Sequence, residues 1–124
     1  MSYIFHITTQ AEWNEANAAG QYRAPSLESQ GFIHFSTYEQ VTRVADAVYA
    51  GQTGLIVLCV DTEQLAAPLR HEPPDPSIPA HHYDGELFPH LYGPLAVVAV
   101  VDTVPLQTGV DGKFTFLWKK FGQI

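Results

Sequence analysis

The chain lacks the features that mark several large classes of protein. It has one cysteine in 124 residues, so neither a disulfide nor a cysteine-ligated zinc site can form within it. Nowhere do about 18 apolar residues follow one another, which argues against a membrane-spanning helix. The start, Met1-Ser2-Tyr3-Ile4-Phe5-His6, has neither the basic flank nor the apolar stretch of a signal peptide. A cytoplasmic protein with no membrane partner is expected on these grounds. Cationic side chains are scarce: six Lys and Arg stand against 13 Asp and Glu, for a formal net charge of −7. Holding a long nucleic acid depends on clustered cations and counterion release, so no such partner is expected. A small anion stays compatible, because a helix N-terminus and one or two arginines can hold a pyrophosphate. Also missing are a Walker loop, a Gly-x-Gly-x-x-Gly turn and a Gly-x-Ser-x-Gly elbow. The lone Cys59 lies inside Leu55-Ile56-Val57-Leu58-Cys59-Val60, the setting of a small buried hydrophobe rather than of a reactive thiolate.

What is present is enough for one core: 46% of residues are hydrophobic, and the length suits a single domain spanning 1–124. Tyr3-Ile4-Phe5-His6-Ile7-Thr8 reads as a first strand. Thr9-x-x-Glu12 has the spacing of a capping box that opens a helix over 13–19, which Gly20 ends. Pro25 keeps Ala24 out of the helical region, and Ser26 is placed to cap one short turn before Gly31. Gly31-Phe32-Ile33-His34-Phe35-Ser36-Thr37 then reads as a buried central strand. Ser36-x-x-Glu39 and Thr37-x-x-Gln40 announce a helix whose Val41, Val44, Ala45 and Val48 form one apolar stripe, with a stop at Gly51. The run 55–60 is of strand length and predicts a central strand buried on both faces. Leu69-Arg70-His71-Glu72 reads as a short strand, 73–79 as a stiff proline-rich loop, 96–102 as another buried strand, and 114–118 as a last strand after an Asp111-Gly112 turn. The order of elements predicts an α+β domain with a split, antiparallel-rich sheet and two or three flanking helices.

Six histidines in so short a chain are the chemical anomaly. His6-Ile7-Thr8 and His34-Phe35-Ser36 share a pattern in which a strand histidine precedes a hydroxyl residue by two. Strand period 2 puts each hydroxyl on the face of its histidine, so two ring-plus-hydroxyl pairs are placed to line one groove. A later acid, Glu72 or Glu86, would complete it. His90 and Tyr92, in Phe88-Pro89-His90-Leu91-Tyr92-Gly93, sit in a stretch too aromatic for an exposed loop and are expected as an ordered wall of that groove. His71, Glu72, His81, His82, Asp84, Glu86 and His90 are the residue types that bind zinc or nickel, but the adjacent His81-His82 pair does not readily serve one ion. No metal is expected.

Together, Ile4-Phe5-His6-Ile7-Thr8, Gly31-Phe32-Ile33-His34-Phe35-Ser36-Thr37 with Gln40-Val41, and Phe88-Pro89-His90-Leu91-Tyr92-Gly93-Pro94-Leu95 resemble the small bacterial family of unknown function numbered 952, over nearly the whole chain. That family in turn is similar to the ADP-ribosyltransferase superfamily. The resemblance implies an ADP-ribosyltransferase-like fold and NAD as substrate. His6 with Thr8 would bind the nicotinamide-side ribose, and His34 would pack on the nicotinamide. An acid, Glu72 or Glu86, would orient the ribose. Arg23 is offered for the pyrophosphate, with Ser36, Thr37, His90 and Tyr92 as further ligand-binding positions. The alternative is a non-catalytic small-ligand or protein-interaction module, and a third reading is a histidine-rich metal site.

Overall fold

The computed structural model describes residues 2–74 and 85–119. His81, His82 and Asp84, three of the metal candidates, lie outside the described residues, as does 75–79 of the proline-rich loop.

The first strand, β1 (Tyr3–Thr9), and the apolar run, β4 (Leu55–Asp61), pair antiparallel, Tyr3 opposite Asp61 and Thr9 opposite Leu55. Strand β8 (Val100–Pro105) adds on the other side of β4, giving the order β1-β4-β8. All seven residues of β4 are buried, because its two faces feed two different cores. Ile56, Leu58 and Val60 point with Ile4 into one, and Leu55, Val57 and Cys59 point with Phe5 and Ile7 into the other. Period 2 along each strand makes that division.

The first helix follows its end signals, whereas the next two depart from theirs. Helix α1 (Gln10–Ala19) is capped by Thr9, whose hydroxyl accepts from the Glu12 N–H at 3.1 Å, and closes at Gly20 with φ 87°. Only glycine takes that left-handed turn without a Cβ penalty. Helix α2 (Pro25–Gln30) is longer than one turn and is capped differently from the sequence expectation. Ala24 is its N-cap and Pro25 its first residue, while the Ser26 hydroxyl donates to the Phe32 carbonyl at 2.8 Å. Pro at that position sacrifices no helical hydrogen bond. Helix α3 (Val41–Val48) starts after Gln40, an N-cap whose side chain makes no capping hydrogen bond, rather than from Ser36 or Thr37. It stops before the expected Gly51, and only Val41 and Ala45 of its stripe are fully buried.

Two expected strands are interrupted. Of 31–37 only β3 (Ile33–His34) is regular; Ser36 then leaves to exchange two backbone hydrogen bonds with Phe5, at 2.9 and 2.7 Å. The run 96–102 is broken by a 3-10 turn, Val97–Ala99, which separates β7 (Leu95–Ala96) from β8 and lets β7 pair with β2 (Gln21–Tyr22). Conversely, a stretch read as wall or loop is a strand: β6 (Phe88–Leu91) lies between β3 and β5 (Leu69–Glu72). Pro89 is tolerated there because its carbonyl still accepts from the Phe35 N–H, at 3.0 Å. A hairpin of β9 (Gln107–Thr108) and β10 (Phe114–Thr115) turns through Asp111-Gly112, and Trp118 beyond it caps the second core with its indole N–H donated to Asp102 at 2.9 Å. Among the described residues all strand pairs are antiparallel, two sheets are three-stranded, and the helices flank them: the α+β expectation holds.

One close approach ties the second sheet to its connection. A Cβ built on Gly93 would fall 2.6 Å from the Ala67 Cβ. Gly93→Ala is therefore expected to cost about 1–3 kcal/mol, as overpacking does. Urea denaturation checks this, and Ala67→Gly in the same chain should recover most of the loss.

Candidate functional site

In the sheet ordered β3-β6-β5, Ile33 faces Leu91 and Leu69 faces Leu91, while His34 faces His90, Arg70 faces His90 and Glu72 faces Phe88. One face thus enters the core through Ile33 and Leu91, and the other carries His34, His90, Arg70 and Glu72, extended by Phe32 and Tyr92 at period 2. On that second face the rings are organised. Phe32 stacks on His90 with centroids 4.1 Å apart and planes at 18°, and His34 meets His90 edge-on at 5.6 Å. His90, 3% exposed, donates Nδ1–H to Glu72 Oε1 at 2.8 Å, and the Tyr92 hydroxyl donates to the same oxygen at 2.6 Å. These two hydrogen bonds, Tyr92 first, hold the Glu72 carboxyl below the usual carboxylate range. The Arg70 guanidinium lies 5.1 Å from the Tyr92 ring centre.

The first sheet contributes His6 and Thr8, on one face of β1 as their spacing requires. His6 Nδ1 lies 2.5 Å from the His34 carbonyl, which can only accept, so the proton is on Nδ1 and Nε2 is the accepting nitrogen. Nε2 is 2.8 Å from the Tyr22 hydroxyl, and that hydroxyl is 3.2 Å from Thr8 Oγ1. Thr8 in turn donates to Glu12 Oε1 at 3.0 Å. The result is a chain His6–Tyr22–Thr8–Glu12 in which the Tyr22 proton has two acceptors. Burial pushes the His6 imidazole down to about 4 and the Tyr22 phenol up to about 12, so at neutral pH both are uncharged. Tyr49 is likewise raised, by burial first and by Glu12 second.

This chain walls a cavity of about 370 Å³, to which His34, Tyr49, Val44 and Val48 also contribute. The exposed half of the α3 stripe therefore forms cavity wall. Among the described residues that line it there is no Lys or Arg. A smaller chamber of about 50 Å³ shares His6, Ile7, His34, Val44 and Tyr49 with it and adds Ser36, Pro74 and His90. Both ring-plus-hydroxyl pairs thus reach one groove, Thr8 in its larger part and Ser36 in its smaller.

Other sequence candidates sit elsewhere. Glu86 is gripped by both Arg43 nitrogens at 2.5 Å and by Gln40 at 3.0 Å, which lower its carboxyl, and it lines neither cavity. Thr37 offers its N–H to Gln40 Oε1 at 2.9 Å, at the approach to α3. Arg23 is exposed and borders a neighbouring depression with Glu12, Glu15 and Tyr22. Tyr92 serves the site through Glu72. Among the described residues no group of three His, Cys, Asp or Glu is gathered for a metal ion. No described helix is long and apolar enough to cross a membrane. The sequence reading missed Glu12, Tyr22 and Tyr49; Glu12 enters because the turn that Thr9 caps brings its carboxylate back to Thr8 at the end of β1.

Fold and groove together define an α+β domain with a histidine-lined site between two small antiparallel sheets. The chain belongs to the family described as "Protein of unknown function (DUF952)", whose model matches residues 7–103. It is similar over its length to protein CC0527 from Caulobacter crescentus. The crystal structure of that protein has 33% identity and a TM-score of 0.77, covering 92% of this chain and 94% of that one. Its solution NMR structure matches at 32% identity and a TM-score of 0.67, covering 91% of each chain. Among curated proteins, none matches the chain.

Proposed function

We propose that the groove binds a pyridinium nucleoside, the nicotinamide-ribosyl group of NAD or of a related nucleotide, and acts on its N-glycosidic bond in the manner of an ADP-ribosyltransferase-like enzyme. The observation that carries this reading is the chain Glu12–Thr8–Tyr22–His6 on the wall of the 370 Å³ cavity. Ligand sites span about 300–1,000 Å³, so this one suits a nucleoside better than a whole dinucleotide. A nicotinamide ring bonded to ribose is cationic. Aromatic walls from Tyr22, Tyr49 and His34 and a nearby carboxylate favour such a ring, and no described lining residue repels it. Breaking the bond neutralises the ring and moves positive charge onto the ribose, where Glu12 is placed to stabilise it while Thr8 and Tyr22 fix the sugar. Glu12 thereby takes the part that the family resemblance offered to Glu72 or Glu86. Arg23, past Glu12, is the group available to a phosphate, with Glu12 and Glu15 offsetting its charge.

Calorimetric titration of nicotinamide riboside, NAD and ADP-ribose tests this. The two pyridinium ligands should bind, ADP-ribose should bind at least tenfold more weakly, and Glu12→Gln should weaken the riboside by about tenfold, the worth of one charge-assisted hydrogen bond. No heat with any of the three up to millimolar concentration would remove the reading. A second reading, a non-catalytic ligand-binding module, is favoured by the commitment of Glu86 to Arg43 and of Glu72 to His90; riboside binding with no release of nicotinamide would support it.

A further inference from the structure

The groove has two compartments of different size and different chemistry. We infer that His90, oriented by Glu72, is the proton acceptor of the site and activates a water held in the smaller chamber, so that the transfer is hydrolysis; this rests on the pyridinium-nucleoside reading above.

Three observations lead there. The first is tautomeric. A carboxylate only accepts, so the 2.8 Å contact to Glu72 puts a proton on Nδ1, and in the neutral ring Nε2 is then the lone-pair nitrogen. The second is positional. Glu72 lines neither cavity, whereas His90 lines the 50 Å³ chamber, so the ring is interposed between the acid and the chamber. Stacking on Phe32 and the edge contact with His34 restrain it from rotating. The third is size. A water needs about 10–15 Å³ of such space, so the chamber admits water and excludes a nucleoside. Ser36 and His34 on its walls supply further polar partners, and the walls shared with the larger cavity set the two side by side.

In the reaction, a water O–H proton passes to His90 Nε2 as the water oxygen bonds to ribose C1′. The C1′–N bond breaks, its electron pair stays on the ring nitrogen, and nicotinamide leaves uncharged; His90 then returns the proton to solvent. Nicotinamide riboside and water give ribose, nicotinamide and one proton. Glu72 is a positioning residue, as it acts through the ring.

The test combines nicotinamide release from nicotinamide riboside, calorimetric binding in the same samples, and two-bond 15N–1H NMR of the histidine rings. Wild type should release nicotinamide. His90→Gln should lower kcat about a hundredfold or more with Kd kept within threefold. Because His90 is nearly buried, the half-exposed Glu72→Gln is the second variant: kcat should fall with KM unchanged, and the His90 proton should no longer be confined to Nδ1. Full turnover by His90→Gln or a wild-type His90 proton on Nε2 would each overturn the role of His90 while leaving the groove reading standing. Riboside binding without turnover would overturn the role of His90 and leave only the binding half of that reading. Absence of riboside binding would instead remove that reading and the inference with it.

Discussion

Replacing Phe5 with alanine is expected to remove about 3–5 kcal/mol of stability, the range for emptying an aromatic site in a core. Phe5 is 1% exposed and stands at the centre of the second core, edge-on to Tyr38, Phe116 and Trp118 at 5.6, 5.7 and 5.6 Å. Those partners come from two separate segments, 38 and 116–118, so no single neighbour can collapse into the space. Against a typical domain stability of about 5–15 kcal/mol, the loss is a large fraction. The substitution should also reach the groove, since Phe5 pairs with Ser36 through two backbone hydrogen bonds and adjoins His6. Urea titration should show a lower midpoint with an unchanged slope. A loss below 1 kcal/mol would mean that the ring cluster contributes little to the core.

The second large effect is a dependence on pH. The unfolded chain protonates His6 near 6.5, whereas the folded chain holds it neutral down to about 4, chiefly because burial opposes the charge. Between those values the unfolded state binds more protons, so stability is full above 6.5 and declines as pH falls through the window. At 1.36 kcal/mol per unit the whole loss is about 3 kcal/mol, of which about 2–3 kcal/mol falls between pH 7 and pH 4.5. Glu72 and Glu86, held below their usual value of 4.5, add their own losses only at lower pH. His6→Gln should flatten the slope in that window. Denaturation midpoints at pH 7, 5.5 and 4.5 for both proteins decide it, and parallel curves would show that His6 is not the source.

How much of this was readable beforehand follows from the range of each interaction. The existence of β1 and β4, the burial of β4 and the ends of α1 are carried by local periodicity and caps. His6 and Thr8 share a face for the same reason, whereas the pairing of β1 with β4 is a long-range choice. The interrupted strands were not readable. The 3-10 turn at 97–99 lets β7 pair with β2, a partner 75 residues away at Gln21↔Ala96, in a different sheet from β8. The stretch 88–93 was read only as a groove wall, because a strand there needs partners on β3 and β5, and Pro89 joins through its carbonyl rather than an N–H. Which acid joins His6 was settled by a tertiary accident of the same kind: Arg43 captures Glu86 from α3, and Thr8 reaches Glu12 across the turn that Thr9 caps.

The alternation in the β3-β6-β5 sheet has a consequence for quality control in the cell. A slip of β3 by one residue against β6 would carry Ile33 outward and His34 inward while β6 stays in register with β5, because successive side chains take opposite faces. Such a chain would show apolar surface to chaperones and proteases at the same moment that it lost its histidine array. Clearance of misregistered molecules therefore needs no sensor of ligand binding: chains that survive with a sealed core are, by the geometry of the pleat, the ones whose groove is assembled.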